Sequence, residues 1–167
     1  MDGGARIAVI GGGAAGAAVV GEFLRRGDTA CELVWLTGRS VPGRGIAYAT
    51  NNTMHLLNVR AANMGLFADD AGALLRFLQA RCTPALPGDF LPRAAFGDYV
   101  EATLAQLMAN GRVRLEMHAC EAISIVFLYV RPCFALVIRF VSRGASSPAC
   151  EPTFQSAFGS RQERKPA

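Results

Sequence analysis

A glycine-rich turn near the start of the chain has the residue types and spacing most suited to binding chemistry. The turn consists of Gly11, Gly12, Gly13, Ala14, Ala15 and Gly16, in the pattern GxGxxG. In this pattern the first glycine permits a tight strand-to-helix connection, the second lets the backbone approach a phosphate, and the third lets the helix pack closely on its strand. Amides in the first turn of a helix have no partner within it, so they can donate hydrogen bonds to a pyrophosphate. The motif therefore predicts a dinucleotide-binding turn.

The segments around this turn have the periodicities that such a site needs. Apolar residues from Arg6 to Ile10 predict a strand, and small and apolar residues from Ala14 to about Arg26 predict a helix that stops at Gly27. A second strand is predicted from Glu32 to Thr37. This context favours dinucleotide binding over a purely structural glycine turn. It predicts an α/β, Rossmann-like domain with a short parallel sheet.

Beyond the second strand the sequence predicts a helical excursion. A loop-like segment from Gly38 to Phe67 comes first. Asp69 and Asp70 are predicted to cap a helix with leucines at helical spacing, and a second helix is predicted from Pro92 to Asn110. A strand region is expected from Val113 to Ile125 because apolar and polar residues alternate at its start.

Composition restricts the classes of partner. The formal charge of +4 lies mostly after residue 138, so the remainder is nearly neutral, and no nucleic acid is expected as a partner. The apolar stretch from Ala122 to Val141 contains Arg131 and Arg139, which are costly in hydrocarbon, so no membrane partner is expected. The five cysteines form no CxxC pair or ligand cluster, which predicts reduced thiols in a cytoplasmic protein and no metal site.

The predicted domain organisation has three parts. Residues 1–125 form the nucleotide-binding domain, and residues 126–141 form an apolar segment of unclear role. Residues 142–167 are rich in Ser, Pro, Gly and Arg, and we expect them to be disordered because they offer little apolar surface to offset the entropy of ordering. The oligomeric state is not predicted.

Two further segments make the sequence more specific than its glycine motif. They are GRGIAYAT, from Gly43 to Thr50, and HLLNVRAANM, from His55 to Met64. Together with the glycine turn they resemble the N-terminal part of the FAD-NAD(P)-binding family of bacterial flavoproteins, which is related to FAD-dependent urate hydroxylases and aspartate N-monooxygenases. The resemblance runs from about Arg6 to Ile125. It implies FAD as the cofactor, NAD(P)H as the co-substrate of the intact family protein, and a flavin-dependent oxidoreductase, most specifically a monooxygenase.

The same resemblance implies roles for individual residues. The three glycines of the motif would hold the FAD pyrophosphate, and Arg44 would lie near the phosphates or the ribityl chain, where a guanidinium suits phosphate oxygens. Arg44 could instead be a solvated loop charge. The amide of Asn58 could reach the flavin ring or bond to its own backbone, and His55 could equally contact the flavin or fix its loop. The resemblance assigns no catalytic residue.

The sequence departs from the family pattern at two places. The second strand ends at Thr37, where an acidic residue normally accepts the ribose hydroxyls, and Arg39 could suit a 2′-phosphate. An NADP(H)-binding reductase domain without flavin is therefore one alternative. After about Ile125 the resemblance stops, and sixteen arginines against one lysine suggest GC-rich coding DNA. We therefore expect a truncated or frameshifted, inactive copy, and a non-catalytic nucleotide-binding remnant is the second alternative.

Overall fold

The computed structural model describes residues 5–27, 31–130, 133–141 and 154–158, and after residue 124 it describes the backbone alone. The chain divides into two units, Met1–Ala119 and Cys120–Ala167. The boundary between the units lies a few residues before the domain boundary at residue 125 that we propose from the sequence. Each unit has its own sheet among the described residues.

The sheet of the first unit is parallel, with its strands in the order β1-β2-β3. The strands are β1 (Ala5–Ile10), β2 (Cys31–Leu36) and β3 (Arg114–His118). Ile10 lies opposite Leu36, and Leu36 lies opposite His118, so the carboxyl ends of the three strands meet at one edge. The fold is the Rossmann-like α/β arrangement that the sequence predicts, and β1 and β2 have nearly the predicted bounds.

Helix α1 (Ala14–Arg26) covers one face of this sheet. Ala17, Val20 and Leu24 are buried in the same core cluster as Leu33 and Trp35 of β2, which are fully buried. The helix ends as predicted at Gly27. This glycine adopts a left-handed conformation and donates its amide to the carbonyl of Phe23 at 3.1 Å, which is a common way to end a helix.

The excursion between β2 and β3 is helical. It contains α2 (Gly45–Tyr48), a short 3₁₀ turn (Ala61–Asn63), α3 (Ala73–Ala80) and α4 (Arg93–Ala109). Helix α4 has the predicted bounds and buries Phe96, Val100 and Leu104 in the common core. The phenol of Tyr99 accepts a hydrogen bond from the amide of Leu66 at 3.2 Å, which ties the long loop to this helix.

The predicted capping of α3 is wrong. The helix begins after Gly72, and among the described residues no side chain caps it. Asp69 instead accepts two hydrogen bonds from Arg25 of α1, and Asp70 forms an ion pair with Arg76. Arg25 also lowers the pKa of the Asp69 carboxyl through these bonds. Both carboxylates are paired with arginine side chains, and neither accepts a capping hydrogen bond from the backbone amides of α3.

The second unit is an antiparallel sheet, whereas the sequence predicts an apolar segment of unclear role followed by a disordered tail. Its strands are β4 (Glu121–Val130), β5 (Cys133–Val141) and β6 (Phe154–Phe158), in the order β4-β5-β6. The predicted strand region from Val113 to Ile125 is therefore divided between two sheets, and the apolar segment 126–141 contributes to a strand pair. Within the segment 142–167, for which the sequence predicts disorder, the structure describes β6, and residues 142–153 and 159–167 lie outside the described residues. Pairing between the strands satisfies their backbone N–H and C=O groups. The overall composition of the tail does not show that a short segment of it can pair in this way.

Candidate nucleotide-binding site

The turn from β1 to α1 is fastened to β2 at two points. The amide of Gly11 donates to the carbonyl of Leu36 at 2.8 Å, and the carbonyl of Gly11 accepts from Trp35 Nε1 at 2.9 Å. Gly11 has a φ of +116°, a conformation that favours glycine. Because Trp35 is fully buried, the turn is attached to the core of the unit.

Two glycines of the turn leave no room for a side chain. A Cβ atom at Gly12 would lie 2.2 Å from the carbonyl oxygen of Thr37, and one at Gly16 would lie 2.1 Å from the carbonyl oxygen of Gly11. Both positions bring backbone against backbone, so a larger residue would push α1 away from the sheet. Gly16 therefore allows the close packing of helix on strand that its place in the motif predicts.

Gly13 lies in a different environment. It precedes α1 with φ −82° and ψ −176°, and none of the described side chains caps the helix there. A Cβ atom at Gly13 would have Gly45 Cα, at 4.0 Å, as its nearest described neighbour. Ala14 is half-buried and Ala15 is exposed in the first helical turn. The helix N-terminus is thus accessible beside a glycine, and this geometry fits an approaching pyrophosphate.

The segment Gly43–Gly45 lies directly against the glycine turn. The amide of Gly43 donates to the carbonyl of Gly12 at 2.8 Å, and a Cβ atom at Gly45 would lie 2.8 Å from Gly13 Cα. Both Gly43 and Gly45 have positive φ values, +91° and +54°. The fold therefore brings the start of the GRGIAYAT segment to the glycine turn.

The side chain of Arg44 is directed towards α4. Its guanidinium forms an ion pair with Asp98, and its Nε donates to Glu101 Oε2 at 2.8 Å. Only 20% of the side chain is exposed. Burial disfavours the charged form of Arg44, but hydrogen bonds to the two carboxylates outweigh burial and raise its pKa. Arg44 is therefore not a freely solvated loop charge, and contact with a phosphate stays a prediction.

Thr37 and Arg39 follow the carboxyl end of β2. Thr37 is only 4% exposed, and its hydroxyl donates to the carbonyl of His118 at 3.3 Å. Its own carbonyl lies beside Gly12, so the residue is adjacent to the glycine turn. Arg39 is exposed in the turn that follows. The threonine hydroxyl is thus directed towards β3, and a guanidinium stands at the surface nearby.

His55 and Asn58 belong to a loop that is tied to the start of α4. His55 Nδ1 lies 2.8 Å from Thr50 Oγ1, and the carbonyl of His55 accepts from the amide of Arg93 at 2.8 Å. Leu57 donates its amide to the carbonyl of Leu91 at 2.8 Å in the same way. His55 thus takes part in fixing its loop, and its contact with a flavin stays a prediction. The side chain of Asn58 is exposed, and its contact with a flavin stays a prediction.

Several residues that shape the site were not predicted from the sequence. Trp35 supports the turn, and Asp98 and Glu101 receive Arg44. The two carboxylates are three positions apart on a helix, which places them on the same face. That spacing was a readable signal, but the sequence does not show which cation they face.

In the part of the chain that the structure describes, no group of His, Cys, Asp or Glu side chains could hold a metal ion. None of the described helices is long and apolar enough to cross a membrane.

The family model described as FAD-NAD(P)-binding matches residues 8–129, which is most of the chain. The chain belongs to the FAD-NAD(P)-binding family. The matched range contains the glycine turn and the GRGIAYAT and HLLNVRAANM segments, and it continues slightly beyond Ile125. Membership confirms the predicted FAD-NAD(P)-binding domain and supports binding of FAD or NAD(P), without deciding between these nucleotides.

One solved structure similar to this chain is THI4 of Thermovibrio ammonificans. The two share 14% sequence identity with a TM-score of 0.45, and the match covers 83% of this chain and 48% of the THI4 chain. The chain thus spans about half the length of that relative. A comparison with curated protein sequences gives no match.

Proposed function

We propose that the chain binds the pyrophosphate of a dinucleotide at the Gly11–Gly16 turn, and that FAD is the preferred ligand. The observation that carries this proposal is the environment of Gly13. The nearest described atom to a Cβ atom there lies 4.0 Å away, beside a helix N-terminus that no described side chain caps. Family membership supports a nucleotide as the anion.

The preference for FAD is supported by the two segments that a nicotinamide-only domain would leave without a role. Gly43 and Gly45 border the glycine turn, and the loop with His55 and Asn58 is held to the start of α4. A bound flavin would supply the redox chemistry, accepting a hydride from reduced nicotinamide and activating oxygen, while the protein orients it. We therefore assign the chain as the FAD-binding domain of an NAD(P)H-dependent flavin oxidoreductase, most specifically a monooxygenase, in the cytoplasm.

An NADP(H)-binding domain without flavin is the second candidate, and the end of β2 favours it. The hydroxyl of Thr37 donates to His118, and no carboxylate stands at Thr37 to accept ribose hydroxyls. Exposed Arg39 offers a guanidinium that suits a 2′-phosphate. This candidate predicts that NADPH binds more tightly than NADH.

A titration of the full chain against FAD, NADPH and NADH distinguishes the two candidates. Flavin emission and the emission of Trp35, the only tryptophan, report binding. We expect FAD to bind most tightly and Arg39→Ala to change its dissociation constant by less than about twofold, which is under roughly 0.5 kcal/mol. If NADPH were preferred, and Arg39→Ala removed that preference, the flavin assignment would be overturned.

We also propose that this chain does not sustain monooxygenase turnover by itself. A flavin hydroxylase needs a nicotinamide site, a substrate pocket against the flavin and exclusion of water, in addition to its FAD-binding part. With added FAD and NADPH, nicotinamide oxidation should stay at the level of free flavin when amines or purines are offered. Sustained oxidation coupled to one substrate would contradict this expectation, whereas nucleotide binding without turnover agrees with the remnant alternative too.

A further inference from the structure

The contact between Arg44 and α4 suggests how the cofactor site is kept in shape. We propose that Asp98 and Glu101 are positioning residues for the nucleotide: they hold Arg44, and through it the segment Gly43–Gly45, against the glycine turn. The inference rests on the proposed function for its effect on binding. The mechanical part, that the carboxylates hold the segment in place, can be tested without any ligand.

The segment needs an anchor because its own contacts with the turn are made by backbone. One hydrogen bond joins the amide of Gly43 to the carbonyl of Gly12, at 2.8 Å. Gly45 touches Gly13 so closely that a Cβ atom on Gly45 would lie 2.8 Å from Gly13 Cα. A small displacement of the segment would therefore change the space beside Gly13, where we place the phosphates.

Helix α4 is shaped to receive the anchor. A Cβ atom at Gly97 would lie 2.8 Å from Arg44 Nη1 and 2.7 Å from the carbonyl oxygen of Tyr48, so the glycine leaves room for the arginine and for the end of α2. Asp98 and Glu101 then accept from different nitrogens of the guanidinium. The planar fork of donors can bridge two carboxylates, which a lysine could not do with the same geometry.

The arrangement gives Arg44 a role different from that of a phosphate ligand. Its Nε and Nη2 are engaged by Glu101 and Asp98, and these carboxylates would repel a phosphate near them. If Arg44 were a phosphate ligand, removing the carboxylates would release its guanidinium and strengthen binding. If the carboxylates position the loop, removing them weakens binding. The two roles thus predict changes of opposite sign.

The test uses the full chain with Asp98→Asn and Glu101→Gln combined. Arg25 provides a matched control because it also lies between two carboxylates, those of Glu22 and Asp69. The control Glu22→Gln with Asp69→Asn removes the same charge from another surface. We expect the dissociation constant for FAD to rise about tenfold in the test variant and less than about twofold in the control. Unchanged or tighter binding in the test variant would overturn the proposal.

Arg44→Met, combined with the double carboxylate variant, completes a mutant cycle that measures the coupling between Arg44 and the two carboxylates. Methionine keeps much of the apolar stem of the arginine but makes no ion pair with α4. We expect it to weaken FAD binding as much as the double carboxylate variant does, with little further loss when the three changes are combined, because all remove one interaction. Full additivity would show that Arg44 and the carboxylates act separately, and would contradict the proposal.

If the unchanged protein binds no nucleotide, the proposed function is refuted, but the anchoring of the segment Gly43–Gly45 can still be tested by amide hydrogen exchange. The amide of Gly43 should exchange about tenfold faster in the Asp98→Asn, Glu101→Gln variant, because the segment opens more often. The amide of Gly27, bonded to Phe23, should be unaffected and serves as an internal reference. Equal protection of Gly43 in the unchanged and variant proteins would show that the carboxylates do not hold the segment.

Discussion

Replacement of Gly13 by valine is expected to abolish dinucleotide binding while leaving the folded chain nearly as stable as before. The backbone of Gly13 has φ −82° and ψ −176°, which valine adopts readily. Its Cβ atom would meet its nearest described neighbour, Gly45 Cα, at 4.0 Å, but its methyl groups would occupy the space proposed for the phosphates. We expect affinity for FAD to fall by about 100-fold or more, roughly 3 kcal/mol.

The measurement combines a flavin titration with urea unfolding. Valine is a poorer residue than glycine at a helix N-cap, so the free energy of unfolding should fall by about 1 kcal/mol at most. Gly13→Ala adds only the Cβ atom and should weaken binding to an intermediate degree. Undiminished FAD binding by Gly13→Val would show that the phosphates do not pass beside Gly13.

The same substitution three residues later should have the opposite outcome, because Gly16→Val is expected to damage the fold itself. A Cβ atom at Gly16 would lie 2.1 Å from the carbonyl oxygen of Gly11 and 3.2 Å from Trp35 Nε1. Relieving these contacts requires α1 to move and disrupts the hydrogen bond from Trp35 to Gly11. Overpacking costs about 1–3 kcal/mol, and a buried polar group left without its partner costs about as much again.

Urea unfolding and the emission of Trp35 measure this effect, with Gly16→Ala as a control for the clash alone. Alanine normally stabilises a helix interior by about 1 kcal/mol relative to glycine, so destabilisation by Gly16→Ala would be attributable to crowding. If circular dichroism and nucleotide binding responded identically to Gly13→Val and Gly16→Val, the separate roles that we assign to the two glycines would be incorrect.

The elements that could be predicted from the sequence are those that local patterns determine. β1, α1 and β2 follow from apolar runs and from glycines at both ends of the helix. Helix α4 follows from its apolar spacing between Pro92 and Asn110. The ends of α4 and its core-facing residues depend on residues close in sequence, so they can be predicted from the sequence alone.

The interactions that could not be predicted connect residues distant in sequence. Asp69 accepts hydrogen bonds from Arg25, which lies 44 positions earlier, and does not cap α3 as predicted. Arg44 meets Asp98 across 54 positions, so its direction depends on how α4 packs. The strand β6 was missed for a different reason: only the two phenylalanines of FQSAF favour a strand, so this element depends on its pairing with β5 more than on its own residue types.

In the candidate site too, local features could be predicted from the sequence and long-range contacts could not. The tight turn at Gly11 and the close packing at Gly16 follow from the motif, and the structure agrees with both. The approach of Gly45 to Gly13 and the inward hydrogen bond of Thr37 depend on tertiary packing. A resemblance can indicate which segments meet, but it does not show which donors are already engaged.

The central claim is that the N-terminus of α1 receives a dinucleotide pyrophosphate, and backbone amide chemical shifts test it most directly. The full chain, labelled with ¹⁵N, would be titrated with FAD. Our account predicts that the largest amide shifts occur at Gly13, Ala14 and Ala15, and that they are lost in Gly13→Val. Saturable shifts confined to other parts of the chain, with these amides unchanged, would contradict it.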